Sequence, residues 1–407
     1  MTDYISREIV GVLNESLENM PVVVISGLRQ VGKTTLLTED PCLRDRYYIN
    51  LDDYAQLEVS RTNPESLLSP DKLITIEEVQ RQPDLIISIK QLVDQKRESG
   101  KFLLSGSANL LLVKNISESL AGRAVYLSLQ PFTRRELHRT KESVPFLVRF
   151  LRTQELPDIS SKLLPVEANE VLLGGLPPVC LKLAKNPSIW FKGFEQTYLE
   201  RDLRDLSQVA DLISFRHLFR LAALRSGQVM NISELARDAK LSSATANRYI
   251  NLLETSFVIY RLQPFLGNKA SRLIKSPKLY ISDSGLASYL GNVNRLTPDN
   301  QMYGALFETY IHHNLKAILE NHATGSTLSY WNVQGRYEVD FVVEYNGNIV
   351  AIEIKSGTRW NKRDFSSLRA FQEKTPGCSI AFLAYNGTKS IQIDKKLWAI
   401  PISQLLS

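Results

Sequence analysis

Cysteine is scarce in this chain: Cys42, Cys180 and Cys378 are the only three in 407 residues, and no two form a C-x-x-C pair. That spacing offers neither a disulfide framework nor a zinc site, and it suits a reducing compartment. No apolar run approaches the ~18 residues that a bilayer-spanning helix needs. The first ten residues (MTDYISREIV) carry acids and lack the apolar stretch of a signal peptide. The expectation is a cytoplasmic protein with no membrane partner. Internal repeats and low-complexity tracts are missing as well. Neither sign of charge dominates: 49 Lys+Arg against 43 Asp+Glu leave a net +6, which permits a polyanionic partner without demanding one. Hydrophobic residues make up 43% of the chain, which excludes a disordered chain, and the length suits roughly two to four domains.

What the chain does contain is Gly27-Leu28-Arg29-Gln30-Val31-Gly32-Lys33-Thr34. These residues fit G-x-x-x-x-G-K-[ST], the phosphate-binding loop of nucleoside triphosphatases. The run before it, PVVVIS at 21–26, is β-branched in the manner of a buried parallel strand, and Thr34-Thr35-Leu36-Leu37 starts a helix. The glycines let backbone N–H groups approach phosphates, and the helix N-terminus adds partial positive charge. The spacing assigns Lys33 to the β/γ-phosphates and the Thr34 hydroxyl to Mg²⁺, with residues 27–35 lining an ATP site. A chance match in a glycine-containing turn would lack this strand–loop–helix setting.

Over the first 130 residues, strand candidates at 22–26, 47–50, 73–76, 101–105 and 124–128 alternate with helical patterns such as 83–98. That alternation predicts a parallel sheet covered on both faces. LITIEE (73–78) is an apolar strand ending in two acids. Phosphate-loop enzymes need such a pair: Glu77 to hold Mg²⁺, and Glu78 to polarise the attacking water. The bland alternative is a solvated strand end. LLSGSAN (103–109) is another strand ending in small polar residues, with Ser107 the first choice and Asn109 the second for sensing the γ-phosphate. Arg123, before the fifth strand, is either an arginine finger acting on a neighbouring copy or a plain surface arginine.

Together GLRQVGKTT, NLDDY (50–54), ITIEEVQ (74–80), LLSGSAN, LAGR (120–123), GGLPP (174–178), TYLERDL (197–203) and SPKLYISDSGLA (276–287) resemble a large family of archaeal and bacterial AAA+ ATPases with a C-terminal domain of unknown function. The motifs span nearly the whole chain. The resemblance implies a P-loop AAA+ fold, use of ATP with Mg²⁺, and assembly into a ring or other multimer. Glu77 departs from it, standing where the family usually has Asp.

The expected domains are an ATPase domain at 1–140, a helical linker at 141–224, a winged helix-turn-helix at 225–300 and an α/β domain at 301–407. In the third, Ser233 is the expected cap of a first helix. Ser242 or Ser243 caps a second helix over 244–254, which turns Tyr249, Leu252 and Leu253 inward and Ser243, Thr245, Asn247 and Arg248 outward. A strand at 257–262 makes the wing. Such a second helix suits a DNA major groove, although only Arg237, Lys240 and Arg248 are basic nearby, which is thin for phosphate binding. A packing or partner-docking module is the alternative.

The last domain carries YEVDFVVEYNGNIVAIEIK (337–355). Asn346-Gly347 signals a two-residue type I′ hairpin turn that pairs Tyr345 with Asn348. Counting back in that register sets Asp340 opposite Glu353 and Glu338 opposite Lys355. It stacks Val339, Phe341 and Val343 on Ile354, Ile352 and Val350, so one face is apolar and the other carries the charges. Directly opposed carboxylates repel, and a divalent cation would relieve that. Asp followed by Glu-x-Lys on the next strand is similar to the core of the PD-(D/E)xK nuclease, or restriction-endonuclease-like, fold. That resemblance implies Glu308, from a helix opening at Gly304, joining Asp340 and Glu353 around Mg²⁺ or Mn²⁺, with Lys355 orienting water or phosphate. An inactive remnant is the alternative. The chain as a whole is expected to couple ATP hydrolysis to work on DNA, branched or recombining DNA among the candidates. The rival expectation is a nucleotide-dependent switch or scaffold for a protein partner.

Overall fold

The computed structural model describes residues 4–68, 71–106, 120–140, 143–156, 163–198, 211–266, 275–333 and 336–407. Its contacts divide the chain into two compact units. The first comprises Met1–Phe132, Lys192–Ala210 and Asn251–Val258, and the second Thr133–Phe191, Asp211–Ile250 and Ile259–Ser407.

The first unit holds five strands: β1 (Val22–Ser26), β2 (Tyr47–Asn50), β3 (Ile74–Glu77), β4 (Phe102–Ser105) and β5 (Ala124–Ser128). All pair in parallel, in the order β2-β3-β4-β1-β5. Val22, Val24, Ile74, Ile76, Phe102 and Leu104 are buried in one core. Central parallel strands are covered on both sides, which is why they read as continuous apolar runs. The Leu85–Gln95 helix buries Leu85, Ile86, Ile89 and Val93, the helical spacing that faces the sheet. β3 runs one residue further than expected, so Glu77 is its last residue and sits beside Asn50 of β2.

The second unit contains two sheets. A three-stranded antiparallel sheet has β8 (Lys278–Ile281) between β6 (Gln228–Val229) and β7 (Ile259–Leu262). In sequence the Leu212–Leu224 helix precedes β6, and the Ile232–Asp238 and Ser243–Thr255 helices lie between β6 and β7. The first cap differs from expectation: Asn231 accepts from Glu234 N at 3.2 Å, and Ser233 lies inside the helix. An Asn one residue before the helix has the free dihedrals a cap needs. Ser242 caps the next helix, accepting from Thr245 N at 3.1 Å. Tyr249, Leu252 and Leu253 are buried, as their spacing requires.

The six-stranded sheet runs β13-β14-β12-β11-β10-β9, where β9 is Thr327–Val333, β10 Tyr337–Tyr345, β11 Asn348–Lys355, β12 Cys378–Tyr385, β13 Ile391–Asp394 and β14 Leu397–Pro401. The 20-residue Tyr303–His322 helix precedes it. The β10–β11 turn is as expected: Asn346 has φ 48° and Gly347 φ 81°, the left-handed pair of a type I′ turn. The register pairs Tyr345 with Asn348, Val343 with Val350 and Phe341 with Ile352. The expected split into an apolar and a charged face needs correcting. Val342 and Ala351 are also buried, in a cluster with Leu368 and Phe371 of the Ser366–Lys374 helix, so charge is confined to the end of the hairpin. Among the described residues no helix is long and apolar enough to cross a membrane.

Candidate functional site

In the first unit the loop after β1 has a phosphate-binding shape. Gly27 has φ 146°, and a Cβ there would lie 2.4 Å from the Leu129 carbonyl oxygen, so only glycine fits this approach. Gln30 and Gly32 also have positive φ. Leu28 and Val31 are buried and anchor the loop, while Gln30, Thr34 and Thr35 are exposed and Arg29 is half-buried. Lys33 is buried and donates to the carbonyls of Gly27 (2.9 Å) and Leu28 (3.1 Å). Its ammonium thus lies across the loop it would serve. A buried ammonium satisfied by neutral carbonyls exchanges them readily for anionic phosphate oxygens, which bind it more strongly.

Residues of β2, of the end of β3 and of the helix after the loop complete the site. Thr34 Oγ1 donates to Glu77 Oε1 at 2.5 Å, so the two expected Mg²⁺ ligands are already together across β4. The other Glu77 oxygen accepts from the Tyr48 hydroxyl. Glu78 sits just past β3 with φ 56°, and its carboxylate accepts from the Gln80 amide. Burial raises the Glu78 pKa, with Lys33 pulling the other way. A left-handed non-glycine residue is a local strain, and such strain gathers at functional sites. Arg7 braces the loop from outside it, donating to Val31 O at 3.0 Å and Gln130 O at 2.5 Å. The donor set fits Mg²⁺ with a nucleoside triphosphate: one hydroxyl, one carboxylate and one lysine converge at a loop that admits close backbone approach.

Arg123 lies in a bidentate pair with Asp94, at 2.5 and 3.0 Å, and its third nitrogen donates to Ala121 O. This arrangement is that of the surface-arginine alternative. Ser107 and Asn109 lie outside the described residues. Sequence reasoning missed Tyr48, Gln80 and Arg7. Tyr48 had a signal, because parallel strands keep residues two apart on one face, and Asn50 ends level with Glu77.

The second unit brings together the acids singled out in the last domain, but around a different cation. Asp340 Oδ2 accepts from Ile354 N at 2.8 Å, which sets it beside the Glu353 end of β11. Glu308 arrives from the long helix. Lys355 donates to Glu353 Oε1 at 3.3 Å, and the other Glu353 oxygen is buried without a hydrogen-bond partner. The expected Glu338–Lys355 opposition is not an ion pair: Glu338 accepts from Asn332 and pairs with Lys278. Lys278 is the unforeseen member. Its side chain is 1% exposed, and its ammonium lies 2.6 Å from Glu338, 3.0 Å from Glu308 and 3.5 Å from Asp340.

Tyr280, two residues on in β8, donates to Glu308 at 2.5 Å and stacks on His312, ring centroids 4.1 Å apart. Burial and then Asp340 push Glu308 up to about 7, and burial followed by Asp340 raises Glu353 well above the usual range. Among the described residues no three His, Cys, Asp or Glu side chains are placed to hold a metal ion. A lysine ammonium stands among Glu308, Glu338 and Asp340, and Glu353 pairs with Lys355. The alternation of KLYI, which puts Lys278 and Tyr280 on one face of an otherwise apolar strand, was the available clue.

Asp283 joins the GGLPP and SPKLYISDSGLA stretches. Fully buried, it caps the Ser284–Leu290 helix through Leu286 N (2.8 Å) and accepts from Gly175 N at 2.6 Å. A Cβ on Gly174 would meet its carboxylate at 2.4 Å. The two motifs form one structural lock.

Comparison with known proteins matches three separate stretches of the chain. Residues 19–138 match the family described as an AAA domain, and 168–297 and 303–405 match two different domains of unknown function. Uncharacterised proteins of Mycobacterium tuberculosis and Mycobacterium bovis are each 32% identical over 413 positions, covering 98% of this chain and 84% of theirs. A solved Walker-type ATPase of Pyrococcus abyssi is 19% identical, with 71% of this chain and 96% of that one covered at a TM-score of 0.45. The chain belongs to one family with the mycobacterial proteins, and its N-terminal part is an AAA domain of the P-loop ATPase class.

Proposed function

We propose that the chain hydrolyses ATP with Mg²⁺ and couples that hydrolysis to binding or remodelling of DNA. The observation that carries the ATPase part is the Thr34–Glu77 contact beside Lys33. Bound Mg²⁺ would supply charge neutralisation between the phosphates. Lys33 would leave the Gly27 and Leu28 carbonyls for phosphate oxygens. Glu78, released by Gln80, would accept the proton of the attacking water. Mutual completion of sites in a ring is part of this reading, and Arg123 would have to exchange Asp94 for a neighbour's nucleotide to serve it.

The DNA part is supported by the Ile232–Asp238 and Ser243–Thr255 helices with the β6–β8–β7 sheet, read as a winged helix. Ser243, Asn247 and Arg248 are exposed on its second helix, and Arg237 and Lys240 are exposed nearby. The six-stranded sheet is read as nuclease-like in fold. The test is steady-state ATP turnover with duplex, single-stranded and branched DNA, at low and physiological salt. Stimulation that collapses as salt rises supports coupling to DNA. ATP turnover indifferent to every DNA form would favour the switch or scaffold, a reading to which the few basic residues of the winged unit lend weight.

A further inference from the structure

We propose that Lys278 is the resident cation of the nuclease-like centre, so that the acids which in such folds hold a divalent metal are closed to one in this chain. The inference rests on the nuclease-like reading of the six-stranded sheet. It explains what balances the charge of carboxylates that fold against one another.

The geometry is that of an ammonium socket. Lys278 sits on the central strand of its sheet, paired with Val229 of β6 and Leu262 of β7, so its backbone is fixed from both sides. Its side chain is almost wholly buried and ends among three carboxylates, Glu308, Glu338 and Asp340, at 3.0, 2.6 and 3.5 Å. An ammonium has three donors in a compact charge, and three acceptors surround it. Tyr280 donates to the same Glu308 oxygen from the same strand, and Ile354 N donates to the second Asp340 oxygen. A divalent ion drawn to Asp340 and Glu308 would therefore meet a fixed positive charge a few ångströms away, at oxygens that already accept from Lys278, Tyr280 and Ile354 N. Lys278 cannot step aside without dragging the central strand or leaving its ammonium unpaired in the interior, which is strongly unfavourable. The remaining acid, Glu353, keeps Lys355 as its partner.

The consequence is a domain with the acids of a nuclease and no metal-dependent cleavage. Lys278→Met removes the charge and keeps the length of an apolar stem. It leaves three acids with no cation, the situation in which a divalent ion is taken up.

The experiment is an electron paramagnetic resonance titration with Mn²⁺, without nucleotide or DNA, on the full chain and its Asp340→Asn, Lys278→Met and double variants. Wild type and Asp340→Asn are expected to bind Mn²⁺ alike. Lys278→Met should bind one further Mn²⁺ per chain about tenfold or more tightly than wild type, and the double variant should lose it. Mn²⁺ binding by wild type that Asp340→Asn abolishes would overturn the proposal. So would a Lys278→Met protein that retains its ATP turnover and thermal transition yet gains no ion. If Lys278→Met does not fold, the comparison of wild type with Asp340→Asn decides alone. Because the titration contains neither ATP nor DNA, its outcome is independent of the turnover test of coupling.

Discussion

Replacing Tyr48 with Phe isolates one hydroxyl in the ATPase site. Glu77 is one methylene longer than the aspartate usual at this strand end, so its carboxylate has one more bond to rotate. Two donors fix it: Thr34 Oγ1 on one oxygen and the Tyr48 hydroxyl on the other. Burial, followed by the Glu77 carboxylate, raises the Tyr48 pKa, so the phenol stays protonated and donating at any working pH. A hydrogen bond to a charged group contributes about 1.5–3 kcal/mol. Outer partners of a metal ligand typically change metal affinity about 10–100-fold, or about 1.4–2.7 kcal/mol, so the two magnitudes agree. Tyr48→Phe keeps the ring and its packing. The KM for Mg-ATP should rise about 10–100-fold, while the affinity for ADP in EDTA stays within about twofold. Phosphate release and a nucleotide-binding titration measure the two quantities. An unchanged KM refutes the reasoning. A parallel loss of metal-free ADP binding would mean that Tyr48 merely supports the fold.

Lys33→Ala should abolish nucleotide binding or turnover, and Glu78→Gln should preserve binding while stopping hydrolysis. If Glu77→Gln stops hydrolysis and Glu78→Gln does not, the two acids have been assigned the wrong way round. Arg248→Ala should weaken DNA affinity and flatten its salt dependence by about one phosphate contact, measured by fluorescence anisotropy across a salt series; no change would remove this helix from the DNA interface. Asp283 gives a pH test. Burial raises it to about 6 from its ordinary 3.8, so the folded state favours the protonated form. Its contribution to stability is fully present below about pH 4 and is lost as pH rises through about 6. Thermal melts should therefore show wild type losing ground to Asp283→Asn between pH 4.5 and 7.5, and a gap that ignores pH would contradict the assignment.

The ATPase unit was legible because its chemistry is local. Glycine spacing, the lysine and the threonine lie within eight residues, and the flanking apolar runs identify strand and helix by themselves. All five strands were placed to within a residue at their ends, since a buried parallel strand has a continuous apolar signature that turn residues bound sharply. Tyr48 and Gln80 were less legible. Each acts on an acid brought close by strand pairing or by a tight turn, and no short motif encodes that. Arg7 is harder still, since it reaches carbonyls at Val31 and Gln130, and a carbonyl acceptor leaves no trace in side-chain sequence.

The hairpin shows where register reasoning stops. Asn346-Gly347 fixed which residues of β10 and β11 face each other, and that part follows from a period of two and a two-residue turn. From the resulting crowding of acids it follows that a positive charge must be present, but not which one. A metal ion and a lysine answer the same electrostatic need, and the lysine lies 62 residues before Asp340 on another sheet. The distinction matters because the two answers have opposite functional meanings. A metal ion is exchangeable, polarises water and supports cleavage. An ammonium tied to the central strand of its sheet supplies charge balance and nothing that activates water. The same acids therefore serve catalysis or folding according to what neutralises them, and the manganese titration of wild type against Asp340→Asn separates the two.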